Sequence, residues 1–143
     1  MTTKINIKNA VLALLLIASS TLCFAQCDKT VTLTALKTNY YDAQDKLLKS
    51  DDETSMVTIS KTSVSITPGS NSKVSGPVSS YICSWTKPYK EGKMVVKCKL
   101  LNENNVEKNA TITIEAKEGK VNLTFEALEM PGRKIKLVAD KFE

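Results

Sequence analysis

Apolar and polar residues alternate along most of the chain after Lys29, and this pattern constrains the fold more than any other feature. Successive side chains of a β-strand point to opposite faces, so a period of two predicts strands with one buried face and one solvated face. In the clearest case, a two-residue turn at Glu118-Gly119 sets only apolar residues opposite each other. The predicted pairs are Ala116 with Val121, Ile114 with Leu123, Ile112 with Phe125, and Ala110 with Ala127.

The same alternation predicts a second hairpin around Lys61-Thr62, which act as its turn. A two-residue turn at this place sets Ile59 opposite Val64 and Val57 opposite Ile66. A register slip of one residue would expose these side chains and bury their polar neighbours, so the apolar pattern favours this register.

Three other segments carry turn or loop residues. Met130-Pro131-Gly132 precedes a last strand, and the inward faces match across it only if the loop has an odd length, so we expect three residues with Gly132 left-handed. The segment Asn39 to Ser50 is either a short helix or, as we favour, a strand pair turning at Asp42 to Asp45. Pro68 through Pro77 is rich in serine, glycine and proline and is expected to be an exposed loop.

Eight or nine short strands in succession form an antiparallel meander. A meander of this size hides its edges by closing into a barrel or by folding into a sandwich. We therefore predict an all-β fold, with a barrel as the expected architecture and a β-sandwich as the alternative.

The N-terminus has the layout of an export signal. Lys4 and Lys8 precede an apolar run over residues 10–18, and small residues lead to Ala25. The run is shorter than the ~20 residues needed to span a bilayer. We predict a signal peptide over residues 1–25, a single domain over residues 26–143, and a secreted or periplasmic protein without a transmembrane segment. Loss of the two lysines lowers the net charge from +5 to +3.

Three cysteines remain after the predicted cleavage, and an oxidising compartment favours one disulfide bond among them. A hairpin of Tyr81–Thr86 with Lys93–Leu100, turning within Pro88–Gly92, brings Cys83 opposite Cys98. The same register pairs Trp85 with Val96, Tyr81 with Leu100, and Lys87 with Met94. We predict a disulfide bond between Cys83 and Cys98, worth about 3 kcal/mol. Cys27 would then be free, capped by a small thiol, or bridged to a second copy in a dimer.

The composition argues against an enzyme. The chain has no histidine, which excludes Ser-His-Asp triads, Cys-His dyads and histidine-ligated zinc. The dense carboxylate group Asp51-Asp52-Glu53 lacks the alternating ligands of an EF-hand, and a solvated turn explains it more simply than a calcium site. We expect no catalytic residues, no metal and no cofactor.

Cations and aromatic residues cluster on the hairpin 81–100. The candidate binding residues are Lys87, Tyr89, Lys90 and Lys93. Such a cluster can contact an anionic glycan, a lipid head group or an acidic protein surface, although lysines also prevent unwanted pairing of exposed strands. With a low net charge, nucleic acid is not an expected partner.

The segments VTISKTSVSITPG, YICSWT and MVVKCKLLN, with their order along the chain, resemble small exported lipocalin-like barrel proteins of bacteria. The resemblance implies a barrel and no assigned activity. We therefore predict a non-enzymatic binding or interaction module for a small apolar ligand or a protein partner. The alternative is an inhibitor-type protein that presents the stapled basic hairpin 81–100, because a rigid loop loses little entropy on binding.

Overall fold

The computed structural model describes residues 26–69 and 72–143, so the predicted signal peptide lies outside the described residues. Within these ranges the chain forms one antiparallel sheet of eleven strands, without a helix that could cross a membrane. The strands are β1 (Val31–Ala35), β2 (Thr38–Asp42), β3 (Leu47–Asp51), β4 (Ser55–Ile59), β5 (Ser63–Thr67), β6 (Val74–Lys87), β7 (Glu91–Leu101), β8 (Glu107–Lys117), β9 (Lys120–Ala127), β10 (Arg133–Val138) and β11 (Lys141–Phe142). The predicted all-β class is confirmed.

The sheet is not closed into a barrel, so the predicted closure is not found. Its strand order is β11-β1-β4-β5-β6-β7-β8-β9-β10-β2-β3, which leaves β11 and β3 as the outer strands. The number of strands exceeds eight or nine because long strands are interrupted. Leu36 and Lys37 separate β1 from β2, and Ala139 and Asp140 separate β10 from β11. The ladder of paired residues breaks at both places.

The two margins of the sheet nevertheless lie close together. The strands β11, β1 and β4 at one margin are joined by short connections to β10, β2 and β3 at the other. Asp140 N–H donates a hydrogen bond of 2.8 Å to Thr34 O, next to these interruptions. The hydroxyls of Thr38 on β2 and Ser55 on β4 lie 3.1 Å apart and are buried. The sheet therefore curves round on itself and encloses its apolar face.

The two hairpins predicted from alternation are confirmed pair by pair. All four pairs expected across Glu118-Gly119 occur between β8 and β9, and both pairs expected across Lys61-Thr62 occur between β4 and β5. The inward side chains of these hairpins are buried, apart from Ile66 and Phe125, which are partly exposed. Inward and outward faces thus follow from the alternation, as the hydrophobic effect requires.

The segments with turn residues follow the predictions in part. Residues 39–50 form the favoured hairpin, with β2 paired to β3 and Asp45 at a positive φ of 60°. Gly132 is left-handed as predicted, with φ of 74°, but its loop spans five residues, 128–132, rather than three. Both lengths are odd, so the inward faces still match. Part of the predicted loop 68–77 is wrong, because β6 begins at Val74 and Pro77 pairs with Ser63 on β5.

The strand connections collect at two opposite ends of the sheet. At the end that we call the closed end, the turns after β4, β6 and β8 lie beside the N-terminal turn 26–29. Gly119 N–H donates to Lys90 O over 3.1 Å, and Lys61 forms an ion pair with Asp28. The connections after β2, β5, β7 and β9 lie at the other end, which we call the open end.

Candidate functional site

A disulfide bond ties the N-terminal turn to β6 at the closed end. It joins Cys27 to Cys83, whose Cα atoms are 5.8 Å apart, while Cys98 is a buried free thiol. The predicted bond between Cys83 and Cys98 is therefore wrong. The three alternatives given for Cys27, a free thiol, a capped thiol or a bridge to a second copy, are wrong as well, because its sulfur is already used within the chain.

The register of the β6–β7 hairpin explains the wrong disulfide prediction. Its turn has only the three residues 88–90, so Lys87 pairs with Glu91, and Cys83 pairs with Met94 instead of Cys98. This register differs from the predicted one by four residues. An even shift keeps every side chain on its face, so the apolar pattern of the hairpin is satisfied equally well by both registers.

Aromatic side chains fill the closed end. Trp85 is 3% exposed, and its ring centroid lies 5.7 Å from that of Phe142. Tyr89 meets the same phenylalanine edge-on at 5.5 Å, and the hydroxyl of Tyr81 donates to Cys27 O over 3.1 Å. This end of the molecule is a packed core that the disulfide bond closes.

The candidate binding residues of the basic hairpin make contacts within the fold. Lys87 Nζ forms an ion pair with Glu91 Oε2 over 3.6 Å, and Lys93 Nζ forms one with Glu115 Oε1 over 2.8 Å. Tyr89 is half-buried and has a positive φ of 59°. Lys90 is exposed at the turn. The proposed role of this surface in binding stays a prediction, although Tyr89 contributes to packing at the closed end.

Cys98 is held in an apolar environment between Val78 on β6 and Ala110 on β8. Burial raises the pKa of its thiol from 9.0 to about 11. The side chain is therefore neutral near neutral pH, where a thiolate would be the reactive form. This position is that of a packed hydrophobic residue rather than a nucleophile.

The raised pKa of Cys98 has a consequence for stability at alkaline pH. The unfolded chain loses the thiol proton near pH 9 and the folded chain near pH 11, so the stabilisation is complete below pH 9 and is lost as the pH rises to about 11. Burial also raises the pKa of Tyr40 and Tyr81, which act in the same direction. We expect the free energy of unfolding, measured in urea at several pH values, to fall less at alkaline pH in Cys98→Ala than in the wild type. Equal losses would contradict a buried, neutral thiol.

The open end contains a pocket of about 550 Å³. Its wall is mostly apolar, and the apolar side chains come from β4, β5, β6, β7, β9 and β10 with the neighbouring connections. The apolar lining residues are Val57, Ile66, Pro68, Val74, Leu100, Val106, Leu123, Phe125, Met130, Ile135 and Leu137. The pocket explains why Ile66 and Phe125 are only half-buried. Their side chains point inward but border the pocket instead of other packed side chains.

Polar side chains are concentrated on the side of the pocket formed by β2, β3 and the start of β4. Tyr40, Asp51 and Glu53 line it there, together with the buried hydroxyl pair of Thr38 and Ser55. Burial raises the pKa of Tyr40, and the charges of Glu53 and Asp51 raise it further against the opposing effect of Lys49. The tyrosine is therefore a neutral hydroxyl that can donate or accept a hydrogen bond.

The two carboxylates differ in their partners. Asp51 Oδ2 forms an ion pair with Lys49 Nζ over 2.7 Å, whereas Glu53 has no ion pair among the residues that the structure describes. Asp52 points elsewhere and pairs with Lys37 over 3.3 Å. The predicted solvated turn is thus only part of the role of this acidic segment. No group of acidic or thiol side chains in the described ranges is arranged to hold a metal ion.

A rigid connection borders the opposite side of the pocket. The side chain of Asn102 accepts hydrogen bonds of 2.9 Å from the N–H groups of Asn104 and Val106, and this fixes the loop after β7. Lys108 also lines the pocket, and its Nζ lies 3.7 Å from the sulfur of Met130. The lysine stem thereby adds apolar surface to the wall.

The sequence did not determine where such a pocket would lie. Among the large side chains, Phe125 borders the pocket, whereas Trp85 and Ile114 are buried in the core. The interior is therefore solid at the closed end and hollow at the open end.

Comparisons with protein-family models, with curated proteins and with solved structures found no match to this chain.

Proposed function

We propose that this protein is an exported, non-enzymatic binding module that holds one small, mainly apolar molecule in the open-end pocket. The observation that carries the proposal is the pocket itself, since its volume of about 550 Å³ falls in the range of roughly 300–1,000 Å³ typical of small-ligand sites. Apolar walls with a few polar groups on one side are the usual composition of such sites.

In this proposal the curved, unclosed sheet acts as a cup, in the way that a lipocalin-like barrel would. The packed and cross-linked closed end is the base of the cup, and the connections of the open end form its rim. The disulfide bond between Cys27 and Cys83 supports an oxidising compartment outside the cytosol. Export by the signal peptide over residues 1–25 is part of the same proposal.

The side chains of the pocket favour an amphipathic ligand with a neutral or cationic polar end. Its apolar part would lie against Leu123 and Phe125 deep in the pocket. Its polar end would meet Tyr40 and the carboxylate of Glu53, which has no ion pair in the described part of the chain. An anionic end at this place would face Glu53 and Asp51, and like charges repel. An amine or hydroxyl would be attracted or hydrogen-bonded.

A tryptophan placed inside the pocket tests the proposal. We expect the purified protein to bind N-phenyl-naphthylamine, a neutral apolar fluorophore, with increased emission. In Val74→Trp the larger side chain occupies part of the pocket, so we expect the dissociation constant of the probe to rise about tenfold or more, which corresponds to the loss of ~1.4 kcal/mol of burial.

Val138→Trp is the matched control, because Val138 is 45% exposed on β10 and does not line the pocket. It should bind the probe like the wild type. Dodecylamine should displace the probe at lower concentration than dodecanoate, because the two carboxylates of the pocket wall, Asp51 and Glu53, outnumber its one described lysine, Lys108. Absence of probe binding to the wild type, or equal binding by Val74→Trp, would refute the pocket as the binding site.

A further inference from the structure

Gln26 occupies an unusual position at the closed end. Its residue is only 2% exposed, although its side chain is polar. The amide oxygen Oε1 accepts a hydrogen bond of 2.7 Å from Tyr89 N–H. The amide nitrogen Nε2 is buried and has no hydrogen-bond partner in the described part of the chain. A buried amide nitrogen without an acceptor is unfavourable, so only half of this side chain is accommodated by the fold.

The predicted cleavage site gives this position a second property. Cleavage after Ala25 makes Gln26 the first residue of the exported chain, and its backbone nitrogen becomes an α-amino group. This amine would be protonated near neutral pH, and it adjoins the buried side chain of Gln26 and the disulfide-bonded Cys27. A charge next to a packed region is less favourable than a neutral amide at the same place.

We propose that Gln26 is converted to pyroglutamate after cleavage of the signal peptide. The α-amino nitrogen attacks Cδ of the side chain, the bond between Cδ and Nε2 breaks, and Nε2 leaves as ammonia. The reaction needs no oxidant, reductant or further reactant. The five-membered lactam that forms has no charge, keeps the carbonyl oxygen Oε1, and no longer contains Nε2.

The product matches the closed end better than glutamine does. The group that is lost is the one without a partner, and the group that is kept is the acceptor for Tyr89 N–H. The charge that cleavage creates is removed as well. Because Gln26 is almost inaccessible in the folded protein, the reaction belongs to the newly exported chain before the N-terminal turn packs. The modified residue would then close the base of the molecule beside Cys27 and Tyr89.

Mass spectrometry of the exported protein tests the proposal. The gene for the full precursor is expressed in its native host, and the mature protein is purified from the periplasm or the medium. We expect the mass of residues 26–143 with one disulfide bond, reduced by one ammonia molecule, and an N-terminal peptide that starts with pyroglutamate and resists aminopeptidase. An intact N-terminal glutamine, or a first residue other than 26, would overturn the inference.

Gln26→Asn is the control variant. Its amide is one methylene shorter, so the same attack would form a strained four-membered ring, and we expect an N-terminus that keeps its ammonia and is digested by aminopeptidase. Because this variant retains the charged amine, it should also melt at a lower temperature than the modified wild type. Equal melting temperatures would show that the lactam does not serve the fold. Probe binding tests the pocket independently of this modification, because the pocket lies at the open end and Gln26 lies at the closed end.

Discussion

Replacing Cys27 and Cys83 together by serine should lower the free energy of unfolding by about 4 kcal/mol. The bond joins residues 56 positions apart, and a crosslink over a long loop restricts the unfolded chain strongly. The bond also holds the N-terminal turn against β6, where Tyr81 bonds to Cys27 O. Urea unfolding of the oxidised wild type and the double variant measures the difference. A loss of this size is a large part of the stability of a small domain.

Cys98→Ala provides the contrast for this experiment. Cys98 is buried but forms no disulfide bond, so its truncation removes a few contacts and should cost about 1 kcal/mol. Reduction of the wild type should reproduce the loss seen in the double serine variant and should leave the variant itself unchanged. If Cys98→Ala were the more damaging change, the disulfide assignment would be wrong.

Gly76→Ala should destabilise the protein by about 3 kcal/mol or more. A Cβ atom at position 76 would lie 1.8 Å from Lys99 O and 3.2 Å from Leu100 Cα, which are backbone atoms of β7. The backbone cannot yield as a flexible side chain would, so β6 and β7 must move apart. Since Val74 and Leu100 line the pocket beside this contact, probe binding should weaken as well. Thermal unfolding and probe titration measure the two effects.

Gly119→Ala is the matched control for Gly76→Ala. Its Cβ would meet nothing within 4 Å, but the residue has φ of +80° in the tight turn between β8 and β9. The expected cost is therefore only the strain of a left-handed alanine, about 1 kcal/mol. Probe binding should be unaffected, because this turn is at the closed end. Similar losses in both variants would contradict a steric origin for the effect at Gly76.

Local patterns were sufficient to predict the short hairpins. In β4–β5 and in β8–β9, two-residue turns leave few registers, and alternation then selects the one with paired apolar residues. The hairpin of β2 and β3 was also predictable, because Asp42 accepts bonds from the N–H groups of Gln44 and Lys46 and shapes the turn. These contacts are between residues close in the chain.

Such local patterns did not determine the register of the longer hairpin of β6 and β7. Its apolar face was predicted correctly, but its register and its disulfide partner were not. Both candidate registers bury Trp85 and Val96, since they differ by an even number of residues. The position of Cys27 decided the pairing, and that position depends on contacts of the N-terminal turn with Tyr81 and Tyr89. These contacts join residues more than fifty positions apart.

The sequence by itself determined that the chain forms antiparallel strands, which side chains face inward, and where the short turns lie. The physical reason is that alternation and turn residues act between neighbours and follow directly from strand geometry. Only the tertiary structure decided which cysteines meet, which polar groups are buried at the closed end, and that the open end is hollow. These properties depend on how far the sheet curves before its two margins approach, and that distance is set by all of the strands together.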